Sequence, residues 1–404
     1  MFTGSQAVWR SAARSTRTSR VCKIMFLVAV SGALCSSGNL RCAPGGVLRP
    51  ASSPRAAVLS ASEDGGALAV LGGALARVGD EQSAGWRRVS RAWVRLPAST
   101  PWATLHFVGG AGLGIAPQLC YDTLLSGVCD RAGIMVIATA YDLGTDHSQL
   151  AREVGRSFEA ALAACRADGL APQATAPIYR LGHSLGAKLC VLLACADDSK
   201  ELELADPPAS EVSKLGLIAY NNFGVAESAE FSAKVIAALQ GGESGAETGF
   251  MVANAISVLQ QLSKASGADI EFSPSPAQMQ ELVASRFAAS DSRVWRLESD
   301  ELDCSETLLE ALPKDAACGR LTLPGAHLAP VAFCLSPGDI DPMLGSILGS
   351  GRTFSLGDPE AINAITDAVL EWLWPAGLSP LRQLSAAGPA TESPLHGPAN
   401  SDTS

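Results

Sequence analysis

A chain of 404 residues, 47% of them hydrophobic and few of them aromatic, has enough apolar mass for one large α/β domain with extensions. Its net charge of −10 is unevenly placed: 1–62 holds seven Arg, one Lys and no Asp or Glu and carries +8, while the remainder holds 22 basic and 40 acidic residues and carries −18. An acidic body offers no basic groove to neutralise phosphates, which excludes nucleic acid as a partner.

The acid-free leader 1–62 reads as a targeting segment. Within it, Ile24–Leu34 is an apolar run preceded by Lys23, of signal-peptide length and too short to span a bilayer. The mature chain is therefore expected to carry no stable transmembrane segment. The Ser/Arg/Ala-rich stretch that follows, 36–62, makes the leader similar to the two-part signals of algal plastids bounded by extra membranes. Mitochondrial import, secretion and a retained anchor are the alternatives.

Ala67–Gly85 is Gly/Ala-rich and gives no decided element. Trp86–Pro97 alternates basic and apolar residues and predicts an edge strand. Thr104–Val108 predicts a buried strand running into Gly109-Gly-Ala-Gly-Leu-Gly114, and Pro117–Val128 a helix with Pro in its first turn. Ile134–Thr139 is the continuous apolar run of a parallel strand covered on both faces, and Gln149–Arg166 is an amphipathic helix. Leu215–Tyr220 predicts the next strand and ends in Asn221-Asn222-Phe223.

Residues 224–292 interrupt the alternation. Helical stretches at Glu230–Leu239 and Gly249–Ser263 suggest a helical cap insertion over the active site. Val294–Leu297 and Gly319–Leu323 resume the strands, with a short helix at Ser305–Leu312 for which Ser305 is the expected N-cap. Pro359–Trp374 closes the domain, which spans 86–374, and the Pro/Ser/Ala-rich tail 375–404 is expected to be disordered. Strands alternating with helices at this spacing predict an α/β fold with a mostly parallel central sheet and helices on both faces.

The chemistry centres on Gly182-His-Ser-Leu-Gly186, between a short strand from Pro177 and the apolar helical run Lys188–Cys195. This is the pattern of a nucleophile elbow, in which the Ser sits on a strained strand-to-helix turn with its hydroxyl exposed. Such a Ser needs a base, an orienting acid and an oxyanion hole. In α/β-hydrolases the chain order is Ser, then Asp or Glu, then His.

Ser184 is the candidate nucleophile and His327, in the loop Pro324-Gly-Ala-His-Leu-Ala-Pro330, the candidate base. Asp300 is the favoured acid, with Asp303 as the alternative. Both partners follow parallel strands at their C-terminal ends, where sites in open α/β sheets are built. The expected oxyanion donors are the backbone N–H of Leu185 and one from Gly110 or Ala111. His106 reads as a core residue, His147 as a helix-opening or capping residue. His183 adjoins the nucleophile on a turn whose neighbouring side chains rarely face one another.

The glycine run departs from a dinucleotide template, because Ile115 stands where the third Gly belongs. The eleven Cys include no CxxC pair and no zinc spacing, so no cofactor or metal is predicted. Most Cys lie in apolar helical runs and read as buried small hydrophobes of a reducing compartment.

Several stretches together resemble an uncharacterised family of cyanobacteria, algae and plants catalogued as domain of unknown function 1350. They are His106-Phe-Val-Gly-Gly-Ala111 with Ala116-Pro-Gln118, Val136-Ile-Ala-Thr139 with Asp146-His147, and Gly182-His-Ser-Leu-Gly-Ala-Lys188. Tyr220-Asn-Asn-Phe223, Glu271-Phe-Ser-Pro-Ser-Pro276, Asp300-Glu-Leu-Asp303 and Leu323-Pro-Gly-Ala-His-Leu-Ala-Pro330 complete the set. The resemblance implies an α/β-hydrolase fold and plastid location, and gives weight to Asp146-His147 and Asn221-Asn222 without assigning them a role. Two functions fit: a serine hydrolase of esters or thioesters, with a lipid or other acyl substrate, and a non-catalytic lipid- or pigment-binding or scaffold protein of the plastid. A haloperoxidase or lyase on the same fold differs only in pocket chemistry.

Overall fold

The computed structural model describes residues 67–196, 210–228, 271–289, 291–339 and 353–374. In it the alternating elements form one eight-stranded sheet. In chain order the strands are β1 (Trp86–Val89), β2 (Ala92–Arg95), β3 (Thr104–Val108), β4 (Met135–Thr139), β5 (Ile178–His183), β6 (Lys214–Ile218), β7 (Ser292–Leu297) and β8 (Cys318–Leu323). Across the sheet they run β1-β2-β4-β3-β5-β6-β7-β8. From β4 to β8 every pairing is parallel, and β1 and β2 add an antiparallel edge.

Every residue of β3, β4 and β5 is buried, as a strand covered on both faces requires. Successive side chains still alternate between faces. Leu105 and Phe107 join one cluster, with helices α3 (Asp122–Ala132) and α8 (Pro359–Leu373). Val108, Leu215 and Val294 join the opposite one, with α4 (His147–Ala167), α5 (Leu185–Cys195), α6 (Pro276–Arg286) and α7 (Ser305–Ala311). Full burial of one large apolar side chain contributes about 1.5–3 kcal/mol, so these two layers carry most of the fold's stability.

Local chemistry starts the helices. The Asp146 side chain accepts from Gln149 N–H and caps α4, whose buried stripe runs Leu150, Val154, Phe158, Ala161 and Cys165. Ser275 and Gln278 form a reciprocal capping box on α6. Asp358 accepts from Glu360 and Ala361 N–H at the start of α8.

The structure departs from the sequence expectations at several places. The single edge strand at 86–97 is a hairpin, turned by Ser90 at φ 57° and Arg91. Ala67–Glu81 is a helix, α1. The helix expected over Pro117–Val128 is two, α2 (Pro117–Cys120) and α3, broken at Tyr121. Ser305 is the first residue of α7 rather than its cap, and the capping acceptor is the Asp303 carboxylate, which takes the Ser305 N–H at 3.0 Å. A two-stranded ribbon of β9 (Phe333–Leu335) and β10 (Phe354–Leu356) follows the main sheet.

Of the insertion expected at 224–292, 224–228, 271–289 and 291–292 are among the described residues. Met279 and Val283 of α6 are buried in the same cluster as α5, so this helix covers the sheet as part of the body. The leader 1–62, the helical stretches Glu230–Leu239 and Gly249–Ser263, and the tail from Pro375 lie outside the described residues. No helix among the described residues is long and apolar enough to cross a membrane.

Candidate active site

The elbow forms where β5 passes into α5. Ser184 sits between them at φ 56°, ψ −122°, a conformation that costs a side-chain-bearing residue about 1–3 kcal/mol. Its N–H donates to Ile218 O of β6 at 3.0 Å, which fixes the apex over the sheet. Both flanking glycines are required by space. A Cβ at Gly182 would stand 2.6 Å from Ala187 Cα, and one at Gly186 would collide with the carbonyl oxygens of Val108 and Gly109. Backbone atoms cannot swing aside, so the spacing of the motif follows directly from the tightness of the turn.

Ser184, His327 and Asp300 come together. Ser184 Oγ lies 2.8 Å from His327 Nε2, and His327 Nδ1 lies 2.8 Å from Asp300 Oδ2. Adjacent parallel strands make this possible. Leu297 of β7 stands opposite Leu323 of β8, so the two loops leave the sheet side by side. Glu298 N–H then donates to Leu323 O at 2.9 Å and Ser299 N–H to Gly325 O at 3.0 Å. Gly325, at φ 111°, turns the base loop back toward the elbow.

Asp300 is fully enclosed and also accepts Leu302 N–H at 2.9 Å. Burial pushes its carboxyl up, but the His327 hydrogen bond and charge, with the Leu302 amide, outweigh burial and hold it below its ordinary value. Asp303, the alternative acid, faces elsewhere: its carboxylate pairs with Arg296 at 2.5 Å and binds the Ser305 N–H and hydroxyl.

The oxyanion expectation is corrected at one position. The Gly110 N–H donates to Tyr121 Oη at 2.7 Å and so is committed away from substrate. The glycine loop nevertheless runs against the nucleophile, since a Cβ on Gly110 would lie 3.2 Å from Ser184 Cβ. Leu185, in the first turn of α5, has no acceptor within its helix for its N–H. Leu185 and Ala111 are the amides that stay candidates from the original three.

His183, set aside in the sequence reading, lies behind the site. Its Nδ1 is 2.9 Å from Tyr121 Oη and its Nε2 2.9 Å from the His327 carbonyl oxygen. Burial first, then the neighbouring His327, lowers it to about 3. Tyr121 carries no signal in the sequence, because the break between α2 and α3 at which it sits shows only in the structure.

His106 is a core residue as expected: its ring stacks on Phe158, its Nε2 is 3.1 Å from Thr139 Oγ1, and Arg180 Nε donates to its Nδ1. His147 opens α4 but is buried, with its ring stacked on Phe272 and its Nδ1 without a hydrogen-bond partner among the described residues. Lys188, one turn along α5 from Ser184, is buried too and reaches Pro274 O at 3.4 Å. Asn221 donates to Leu302 O, bracing the acid loop, and Asn222 donates to Pro276 O. Among the described residues no group of three His, Cys, Asp or Glu stands ready to hold a metal, and the eight described Cys are free thiols, five of them buried.

A mostly parallel sheet of this order, with the elbow after β5 and the acid and base loops after β7 and β8, defines an α/β-hydrolase-fold protein. More particularly, the chain belongs to the family described as "Protein of unknown function (DUF1350)", whose model matches residues 85–375. Comparison with curated proteins returns no match. Among solved structures, the chain is similar to a monoglyceride lipase of Saccharomyces cerevisiae at 14% identity, covering 71% of this chain and 93% of that one, with a TM-score of 0.37. It is also similar to fungal esterases of Rhizomucor miehei (14%, 75% and 95%, 0.40) and to an esterase of Lactobacillus rhamnosis (12%, 64% and 83%, 0.39).

Proposed function

We propose that the protein is a serine hydrolase that cleaves an ester or thioester through an acyl-enzyme. The observation that carries this reading is the unbroken line Ser184–His327–Asp300, two contacts of 2.8 Å starting from a strained elbow. A structural Ser needs neither the strain nor the aligned imidazole.

Ser184 Oγ attacks the acyl carbon while its proton passes to His327 Nε2. Asp300 holds the Nδ1–H tautomer and offsets the imidazolium charge. The Leu185 and Ala111 amides receive the oxyanion; one such donor is worth about 3–4 kcal/mol of barrier. The proton on His327 then goes to the departing alkoxide or thiolate. Water, deprotonated by the same imidazole, releases the acid and restores Ser184.

The test is hydrolysis by the full chain of a panel of p-nitrophenyl esters and acyl thioesters of increasing acyl length, with Ser184→Ala as control. Turnover lost in the control supports the reading. Failure to turn over any member, by a protein shown to be folded, counts against it. The leader reading proposes a plastid as the place of action, which a fluorescent fusion of residues 1–62 tests by its destination.

A further inference from the structure

We infer that His183 and Tyr121 are positioning residues that tie the oxyanion loop to the base loop behind the nucleophile, an inference that rests on the hydrolase reading above. Three buried hydrogen bonds run in directions set by their donors and acceptors. The His327 carbonyl oxygen can only accept, so His183 Nε2, 2.9 Å away, carries a proton. The Gly110 N–H points at Tyr121 Oη, so the phenol proton must leave toward His183, and a bare Nδ1 accepts it across 2.9 Å. Tyr121 Oη then has lone pairs free and accepts the Gly110 N–H at 2.7 Å.

Each donor meets one acceptor and no group is left over. The result is a continuous chain from the backbone of the glycine loop to the backbone of the base itself, and all of it is buried. A second proton on His183 would break it. Nδ1–H and the Gly110 N–H would both point at Tyr121 Oη, and the phenol proton would lose its acceptor.

The chain fixes two things that catalysis needs fixed. It sets the distance between the loop bearing the Ala111 amide and the loop bearing the His327 ring, which are 216 residues apart in sequence and on opposite sides of Ser184. It also keeps an uncharged ring next to His327, whose centroid is 5.2 Å from that of His183, so the imidazolium formed during turnover meets no like charge. Packing alone does not explain the arrangement, because an apolar residue at 183 would fill the space without serving either partner.

Two replacements at 183 separate positioning from packing. His183→Gln places an amide N–H near the Nε2 position and keeps the bond to His327 O, while losing the Nδ1 acceptor of the Tyr121 hydroxyl. His183→Leu keeps bulk and loses both bonds. With a fluorophosphonate probe on the full-length chain, the rate of Ser184 labelling falls ~10–100-fold in His183→Leu, the scale of loss for a misplaced catalytic group, and falls by a clearly smaller factor in His183→Gln, which keeps the half of the chain that reaches His327.

A second readout does not depend on hydrolysis. The downfield proton NMR signal of His327 Nδ1–H bonded to Asp300 is retained in His183→Gln and broadened away in His183→Leu. If wild type does not label, the hydrolase reading fails, and the NMR comparison still decides the positioning role. Equal labelling rates in both variants, or a downfield signal unchanged in His183→Leu, would overturn the inference.

Discussion

Asp300 and Asp303 lie three residues apart, and the geometry gives them separable jobs. Asp300→Asn removes the charge that faces His327 Nδ1 across 2.8 Å and favours the wrong imidazole tautomer. Loss of the orienting carboxylate of a serine triad costs roughly 10³–10⁴ in kcat, about 4–5.5 kcal/mol of barrier. KM is left nearly unchanged, because the carboxylate does not touch substrate.

Asp303→Ala instead removes a helix cap and an ion pair. The cap on α7 is worth about 1 kcal/mol, and the charge-assisted bond to Arg296 about 1.5 kcal/mol, since Arg296 is partly open to water. The sum, about 2–3 kcal/mol, lowers Tm by roughly 5–10 °C in a domain of this size. Ester turnover per folded molecule and thermal unfolding, measured on both variants below their transitions, should therefore dissociate: Asp300→Asn folded but inactive, Asp303→Ala active but less stable. An inactive Asp303→Ala at unchanged Tm, or a fully active Asp300→Asn, would refute the assignment.

The elbow's space requirement predicts that Gly186→Ala, whose Cβ would strike two backbone carbonyls, destabilises by ~3 kcal/mol or more, seen as a fall in Tm or in soluble yield. Acid should destabilise the native state early. Burial, followed by His327 for His183 and by Lys188 for His147, lowers both rings to about 3, against 6.5 when exposed. Below pH 6.5 the unfolded chain takes protons that these rings refuse when native, so stability is full above 6.5 and falls as pH drops toward 3, by about 1.4 kcal/mol per unit per ring. Denaturant unfolding of a folded His147→Gln variant between pH 6 and 4 should lose about 1.4 kcal/mol per unit of that slope; an unchanged slope contradicts the account. Lys188 is lowered to about 8 chiefly by burial and bonded to Pro274 O over a long 3.4 Å. Lys188→Met should therefore change unfolding free energy by no more than about 1.5 kcal/mol, whereas a loss above ~3 kcal/mol would show that the ammonium is held more firmly than this.

The chain order of the candidate residues was legible because each carries a local signal. Gly182 and Gly186 mark a turn that only glycine fits, while Asp300 and His327 each follow a run apolar enough to be a parallel strand. What decided between Asp300 and Asp303 was not local. Arg296 leaves β7 beside Asp303 and claims it, and that depends on which way each side chain of the loop faces. The committed Gly110 amide was equally hidden, since its acceptor comes from a tyrosine at a break between two short helices that read as one. The hairpin turn at Ser90-Arg91 has neither Gly nor Asn to announce its positive φ, and Gly72-Gly73 weakened the helical signal of α1.

The central claim is that Ser184 is an activated nucleophile. Treating the full-length chain with a fluorophosphonate and mapping the adduct by peptide mass spectrometry tests it most directly. The account predicts one adduct, on Ser184, abolished in Ser184→Ala and slowed by orders of magnitude in a folded His327→Ala variant. A folded wild-type chain that takes up no probe, or uptake that survives Ser184→Ala, would contradict it.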